Sequence, residues 1–129
     1  MDCDILPKKI LLVDDDLTMQ KIINLSLNRA KPDIELTIIS SGEEAIEAAD
    51  SLNPEMVILD YRLNGMDGIQ TYQKLQEIEK FQNIPFVFMS GENDLDVMAY
   101  NDNKNIKGII KKPFRPAELG NELCELLLA

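Results

Sequence analysis

Four short stretches each set a polar group directly behind an apolar run. ILLV (Ile10–Val13) leads into Asp14, Asp15 and Asp16, and MVIL (Met56–Leu59) into Asp60. FVFM (Phe86–Met89) leads into Ser90, and GII (Gly108–Ile110) into Lys111 and Lys112. Carboxylates gathered within a few ångströms repel, so that one is pushed to take a proton or a cation sits among them. A hard divalent ion with oxygen ligands suits such a cluster, and Mg2+ takes one or two carboxylates beside waters and phosphate oxygens. A carboxylate is also a phosphoryl acceptor, forming an aspartyl phosphate. That transfer needs mainly charge neutralisation and positioning, which a metal ion, a lysine ammonium and a hydroxyl can supply.

Each signal alone has an ordinary explanation. A DDD run is commonly a solvated loop, and Asp16 stands where a helix N-cap belongs, just before Leu17. Asp60 can be a turn residue ahead of Asn64-Gly65, Ser90 a turn residue before Gly91, and Lys112 a surface lysine before Pro113. Their joint occurrence at four segment ends is what points to a site.

The elements that must position these groups are short strands and amphipathic helices. Ile10–Val13, Met56–Leu59 and Phe86–Met89 read as buried strands, Gly108–Ile110 as a shorter one, and Leu36–Ile39 as a weaker strand nearer an edge. Near-continuous apolar strands indicate a parallel sheet covered on both faces. Met19, Ile22, Ile23, Leu25 and Leu27 predict a helix over 17–30. Ser41 with Glu44 has the spacing of a capping box, opening a helix to about Ser51. Ile69, Tyr72, Leu75 and Ile78 predict a helix from Ile69 to about Lys80. The last helix begins at Pro116, with Leu119, Leu123, Leu126 and Leu127 on one stripe. Leu95–Asn101 is the least convincing helix, followed by the turn formers NDNKN. Five β-α pairs give an open, doubly wound α/β fold with right-handed crossovers, in which ligands bind outside the carboxyl ends of the strands.

Composition narrows the function. A length of 129 residues suits one domain, read here as 1–129, and 45% hydrophobic residues suffice for its core. A formal charge of −10 without a basic run argues against direct contact with nucleic acid. The absence of histidine excludes histidine-based metal sites and catalysis. Cys3 and Cys124 do not make a disulfide framework, so reduced thiols are expected. MDCDILPKK lacks the apolar core of a signal peptide, and the apolar runs are too short to span a membrane. The expectation is a cytoplasmic domain with no membrane contact.

The chain resembles the receiver domain of two-component response regulators over nearly its whole length. The resemblance rests on KKILLVDDD (Lys8–Asp16), MVILDYRLNGMDG (Met56–Gly68), FVFMSG (Phe86–Gly91) and KKPF (Lys111–Phe114). It implies a flavodoxin-like (βα)5 sheet with strand order 2-1-3-4-5. It implies Asp60 as phosphoacceptor, and Asp14, Asp15, Asp60 and the backbone carbonyl of Arg62 as ligands of Mg2+ or Mn2+. Ser90 resembles the switch hydroxyl and Lys112 the phosphate-pairing lysine, followed by a Lys-Pro bond that is usually cis in the family. Arg62 and Glu92 hold positions that tune phosphoryl lifetime, and an ion pair between them over the cleft is expected. The implied partners are a histidine kinase or phosphotransfer protein and an output domain or downstream protein. Intrinsic Mg2+-dependent autophosphorylation and autodephosphorylation are implied too, in a signalling domain rather than an enzyme proper.

Two positions and one segment depart from the pattern. Ile109 replaces the frequent aromatic three residues before the lysine, Asn64 replaces the common proline, and Leu95–Asn105 matches poorly. Two other readings stay open: a receiver-like module that is never phosphorylated, and a Mg2+-dependent phosphohydrolase with an aspartyl nucleophile. The second commonly needs another Asp two residues after the nucleophile, where this chain has Arg62.

Overall fold

Side chains alternate across a strand, so a strand that is apolar throughout must be covered on both faces. In the computed structural model, which describes residues 5–91 and 105–128, five parallel strands form one sheet. They are β1 (Lys9–Val13), β2 (Glu35–Ile39), β3 (Met56–Asp60), β4 (Phe86–Ser90) and β5 (Ile106–Lys111), in the order β2-β1-β3-β4-β5. The helices among the described residues are α1 (Leu17–Ala30), α2 (Gly42–Ala48), α3 (Gly68–Leu75) and α4 (Leu119–Leu128). The expected helix over 95–101 and residue Glu92 lie outside the described residues.

The sheet divides two cores. Leu11, Val13, Val57, Leu59, Phe86 and Phe88 point to one side, where they meet Ala45, Tyr72, Leu75 and Phe81. Ile10, Leu12, Met56, Ile58, Val87 and Met89 point to the other, where they meet Ile23 and Leu27 of α1 and Leu119 and Leu123 of α4. Every residue of β3 and β4 is buried, whereas β2, at the edge, has no fully buried residue. At roughly 25 cal/mol per Å2 of apolar area, the central strands contribute most to the driving force.

Helix ends follow local chemistry. Asp16 caps α1, accepting the N–H groups of Thr18 and Met19. Ser41 caps α2 by accepting the Glu44 N–H. A full capping box forms instead at α3, where Asp67 accepts the Gln70 N–H and the Gln70 side chain accepts the Asp67 N–H. Helix α3 is shorter than its apolar spacing predicts. It stops at Leu75, Ile78 is extended, and a 3-10 turn follows at Glu79–Phe81. The Gln76 side chain donates to the Phe81 carbonyl and so stabilises this tighter path. The last helix likewise opens with a 3-10 turn at Pro116–Glu118 before α4.

Cys124 is buried in the α1/α4 core and is disulfide-bonded, which corrects the expectation of reduced thiols. Distance along the chain carries no information about such a pairing, and Cys3 lies outside the described residues. No helix among the described residues is long and apolar enough to cross a membrane.

Candidate functional site

The chain leaves β1 toward β2 on one side and returns to β3 on the other. The carboxyl ends of β1 and β3 therefore flank the point where strand order reverses, the usual ligand site of such sheets. Asp14 and Asp15 follow β1 and Asp60 ends β3. One carboxylate oxygen from each lies within 4.8 Å of the others. Asp14 is fully buried and Asp60 is 4% exposed.

Lys112, just past the end of β5, reaches into the cluster. Its Nζ is 2.9 Å from Asp60 Oδ2 and 3.7 Å from Asp14 Oδ2. The lysine is anchored by its own main chain, since the Lys112 N–H donates to the Ser90 carbonyl at 2.8 Å. The Lys112–Pro113 bond is cis. Ser90 is 4% exposed at the end of β4, next to β3 in the sheet. Lys111, by contrast, is exposed.

One oxygen of each carboxylate accepts a backbone N–H. Asp60 Oδ1 accepts the Arg62 N–H at 3.2 Å, and Asp14 Oδ1 accepts the Asp16 N–H at 2.9 Å. Asp15 Oδ2 accepts the Asn64 N–H at 3.0 Å. Proline, common at that position in the resembled family, has no N–H and could not make this bond. Asp14 Oδ2 is a buried oxygen with no hydrogen-bond partner among the described residues. Arg62 is exposed, and its expected pairing with Glu92 lies outside the described residues.

Burial dominates the electrostatics. Desolvation raises the Asp14 pKa to about 6, aided by the charges of Asp60 and Asp15 and opposed by the Asp16 N–H and by Lys112. Desolvation also pushes Asp60 up, against the Lys112 hydrogen bond and charge and the Arg62 N–H. Two carboxylates held above their ordinary range beside one ammonium have unsatisfied affinity for positive charge.

The donors fit a hard divalent cation: three clustered carboxylates, one presenting a buried oxygen that accepts no hydrogen bond among the described residues. Main-chain carbonyls of the loop after Asp60 can complete such an oxygen set.

Two supporting residues were not singled out from the sequence. Gln20, on α1, donates from its side chain to the Asp14 carbonyl at 2.6 Å and to Ser40 Oγ at 3.1 Å. It ties the loop after β1 to the end of β2. Glu43, on α2, accepts the Met66 N–H at 3.0 Å. A glutamine at helical spacing from Ile23 and Leu27 was the available signal for the first. The second had none, because its partner is a backbone group.

Comparison with known proteins agrees with this geometry. Residues 10–123 match the family model for the response regulator receiver domain. The DNA-binding response regulator MtrA of Mycobacterium tuberculosis is 29% identical over 116 residues, 90% of this chain and 49% of that protein. The nitrate/nitrite response regulator protein NarL of Escherichia coli is 33% identical over 116 residues, 88% of this chain and 51% of that protein. The chain thus spans about half the length of these relatives. The expectation of no direct contact with nucleic acid is not supported by these comparisons, since MtrA is named as DNA-binding. Among solved structures, the chemotaxis protein CheY4 of Vibrio cholerae superposes with a TM-score of 0.80 at 21% identity, covering 92% of this chain and 97% of that one. A response regulator receiver protein from Sinorhizobium medicae superposes with a TM-score of 0.72 at 32% identity, covering 93% and 94%. Five parallel strands in this order, carboxylates at the ends of β1 and β3 and the match over residues 10–123 lead to one assignment: the chain belongs to the response regulator receiver domain family of two-component signalling.

Proposed function

We propose that this receiver works as a phospho-switch in which Asp60 accepts a phosphoryl group from a histidine kinase or phosphotransfer protein. The observation that carries the reading is the pairing of Asp60 with Lys112 at 2.9 Å, beside a buried Asp14 oxygen that accepts no hydrogen bond. Asp14, Asp15, Asp60 and the Arg62 carbonyl would hold Mg2+ or Mn2+, which when bound neutralises charge on the transferring phosphoryl oxygens.

The chain's own groups account for the rest. An ionised Asp60 oxygen attacks phosphorus, and a P–O bond forms as the donor's P–N bond breaks. The bonding electron pair leaves with the imidazole nitrogen. Lys112 moves from balancing the free carboxylate to balancing a phosphoryl oxygen. The Ser90 hydroxyl, at the end of the adjacent strand, donates a hydrogen bond to another. The loss of Lys112 from the Asp14–Asp60 pair and the pull on Ser90 bias a two-state equilibrium that is read at a distant surface by an output domain or downstream protein. Arg62 and Glu92, two residues beyond Asp60 and Ser90, set the lifetime of the acyl phosphate by governing access of water. The chain acts as one receiver unit over 1–129, and a cytoplasmic location goes with a histidine-kinase donor.

Arg62 stands where an aspartyl-nucleophile phosphohydrolase needs its acid/base, which disfavours that reading. Treatment with acetyl phosphate and Mg2+, followed by phosphate-affinity electrophoresis, tests the proposal. The wild type is expected to give a shifted band that Asp60→Asn lacks. A wild type that never shifts leaves the unphosphorylated module as the function, and steady turnover of a phosphate monoester revives the hydrolase.

A further inference from the structure

The carboxylate of Glu43 takes no part in the proposed transfer, yet it reaches from α2 onto the loop that follows Asp60. We propose that Glu43 is a positioning residue for the cation site, acting through the turn at 64–66. The inference rests on reading Asp14, Asp15 and Asp60 as that site.

The loop is gripped at alternate amides by carboxylates from two different elements. The Asn64 N–H donates to Asp15 Oδ2, and the Met66 N–H donates to Glu43 Oε2, each at 3.0 Å. Gly65 lies between them with φ 78°, a left-handed conformation that strains other residues. A Cβ built on Gly65 would stand 2.6 Å from the same Glu43 oxygen. The carboxylate is thus packed against the turn as well as bonded to it.

Glu43 is itself held from behind. Gly42, its neighbour, sits so close to α3 that a Cβ there would be 2.0 Å from Thr71 Oγ1. Thr71 is fully buried and its hydroxyl donates to the Asp67 carbonyl. The base of Glu43 is therefore fixed against α3 while its tip holds the turn. The turn in turn orients Asp15, and it lies on the same loop as the Arg62 carbonyl. If the tip is withdrawn, the Met66 N–H passes to water and the turn loses one of its two anchors. Asp15 then spends less time aimed at its neighbours. Glu43 and Glu44 both complement the start of the α2 dipole, but that effect does not require the contact with Met66.

Two substitutions separate reach from charge. Glu43→Asp keeps the charge and shortens the arm by one methylene, whereas Glu43→Gln keeps the length and an acceptor oxygen without the charge. Mg2+ is titrated calorimetrically into each unphosphorylated full-length chain, and the Asn64 and Met66 amides are followed by 15N NMR. Glu43→Asp is expected to weaken Mg2+ binding about three- to tenfold and to move both amide resonances. Glu43→Gln is expected to stay within about twofold of wild type. Wild-type affinity in Glu43→Asp, or an equal loss in Glu43→Gln, overturns the proposal while leaving the cation site intact. Failure of the wild type itself to bind Mg2+ overturns both.

Discussion

Lys112 and Asp60 form a contact of 2.9 Å between chain ends of two strands that are not neighbours in the sheet, with β4 between them. The lysine is only 23% exposed, and the Asp14 carboxylate beside it is fully sealed from water. Removing the ammonium leaves two buried carboxylates uncompensated. Lys112→Ala is expected to cost about 1–3 kcal/mol at neutral pH, less than for a fully buried pair because the lysine retains some water. Urea unfolding with and without Mg2+ checks this, with saturating Mg2+ expected to restore part of the loss.

From the raised pKa of Asp14, stability and cation binding at the proposed site are both expected to depend on pH. Its folded value of about 6 lies above the ordinary carboxylate value of 3.8. The folded state therefore binds the proton more tightly, and the associated stability is present below pH ~4 and lost as pH rises through ~6. Cation-free protein should gain stability on acidification across this window, as followed by thermal unfolding in chelator. Asp14→Asn should raise cation-free stability at pH 7 by about 1–3 kcal/mol and flatten that dependence. Mg2+ affinity should move the opposite way, falling as pH drops below ~6, because the ion must displace the proton.

Tyr72 joins α3 to the start of β5. Its hydroxyl donates to Asn105 Oδ1 at 2.6 Å, and its ring stands edge-on to Phe86 and Phe88, with centroids 5.0 and 5.9 Å away. Asn105 passes the connection on by donating to Gln76 Oε1. Tyr72→Phe should cost about 1 kcal/mol in urea unfolding, the net worth of one such bond. Tyr72→Ala should cost about 3–5 kcal/mol, since a ring is lost from the aromatic core. Amide exchange at Asn105 should quicken in both.

Much of this was legible in the residue order, and the limits have physical causes. Uninterrupted apolar runs in β1, β3 and β4 marked strands buried on both faces, and the carboxylates behind them marked the cleft. The early end of α3 was not legible, because Tyr72, Leu75 and Ile78 keep helical spacing while the Gln76 side chain bonds the Phe81 carbonyl and stabilises the turn. The box at Asp67 and Gln70 was written in the residues but overshadowed by Ser41 and Glu44, whose spacing is the same. Contacts between side chains and distant amides, such as Asp15 with Asn64 and Glu43 with Met66, leave no periodic trace at all. Ile109 packs partly buried against the aromatic side of the sheet, where the family often has a ring. An aliphatic residue there cannot swing outward as a ring does.

The alternation of β3 and β4 between two unlike cores has a consequence for how the chain can evolve. Rings fill one side, with Phe86 and Phe88 against Tyr72 and Phe81, while Val87 and Met89 meet aliphatic helices on the other. Deleting a single residue within β4 would exchange those sides and, by the same half-turn, rotate Ser90 away from Asp60. Reading frame, packing and chemistry are locked to one ruler, so length changes are confined to the connections while the strands tolerate only replacement in place.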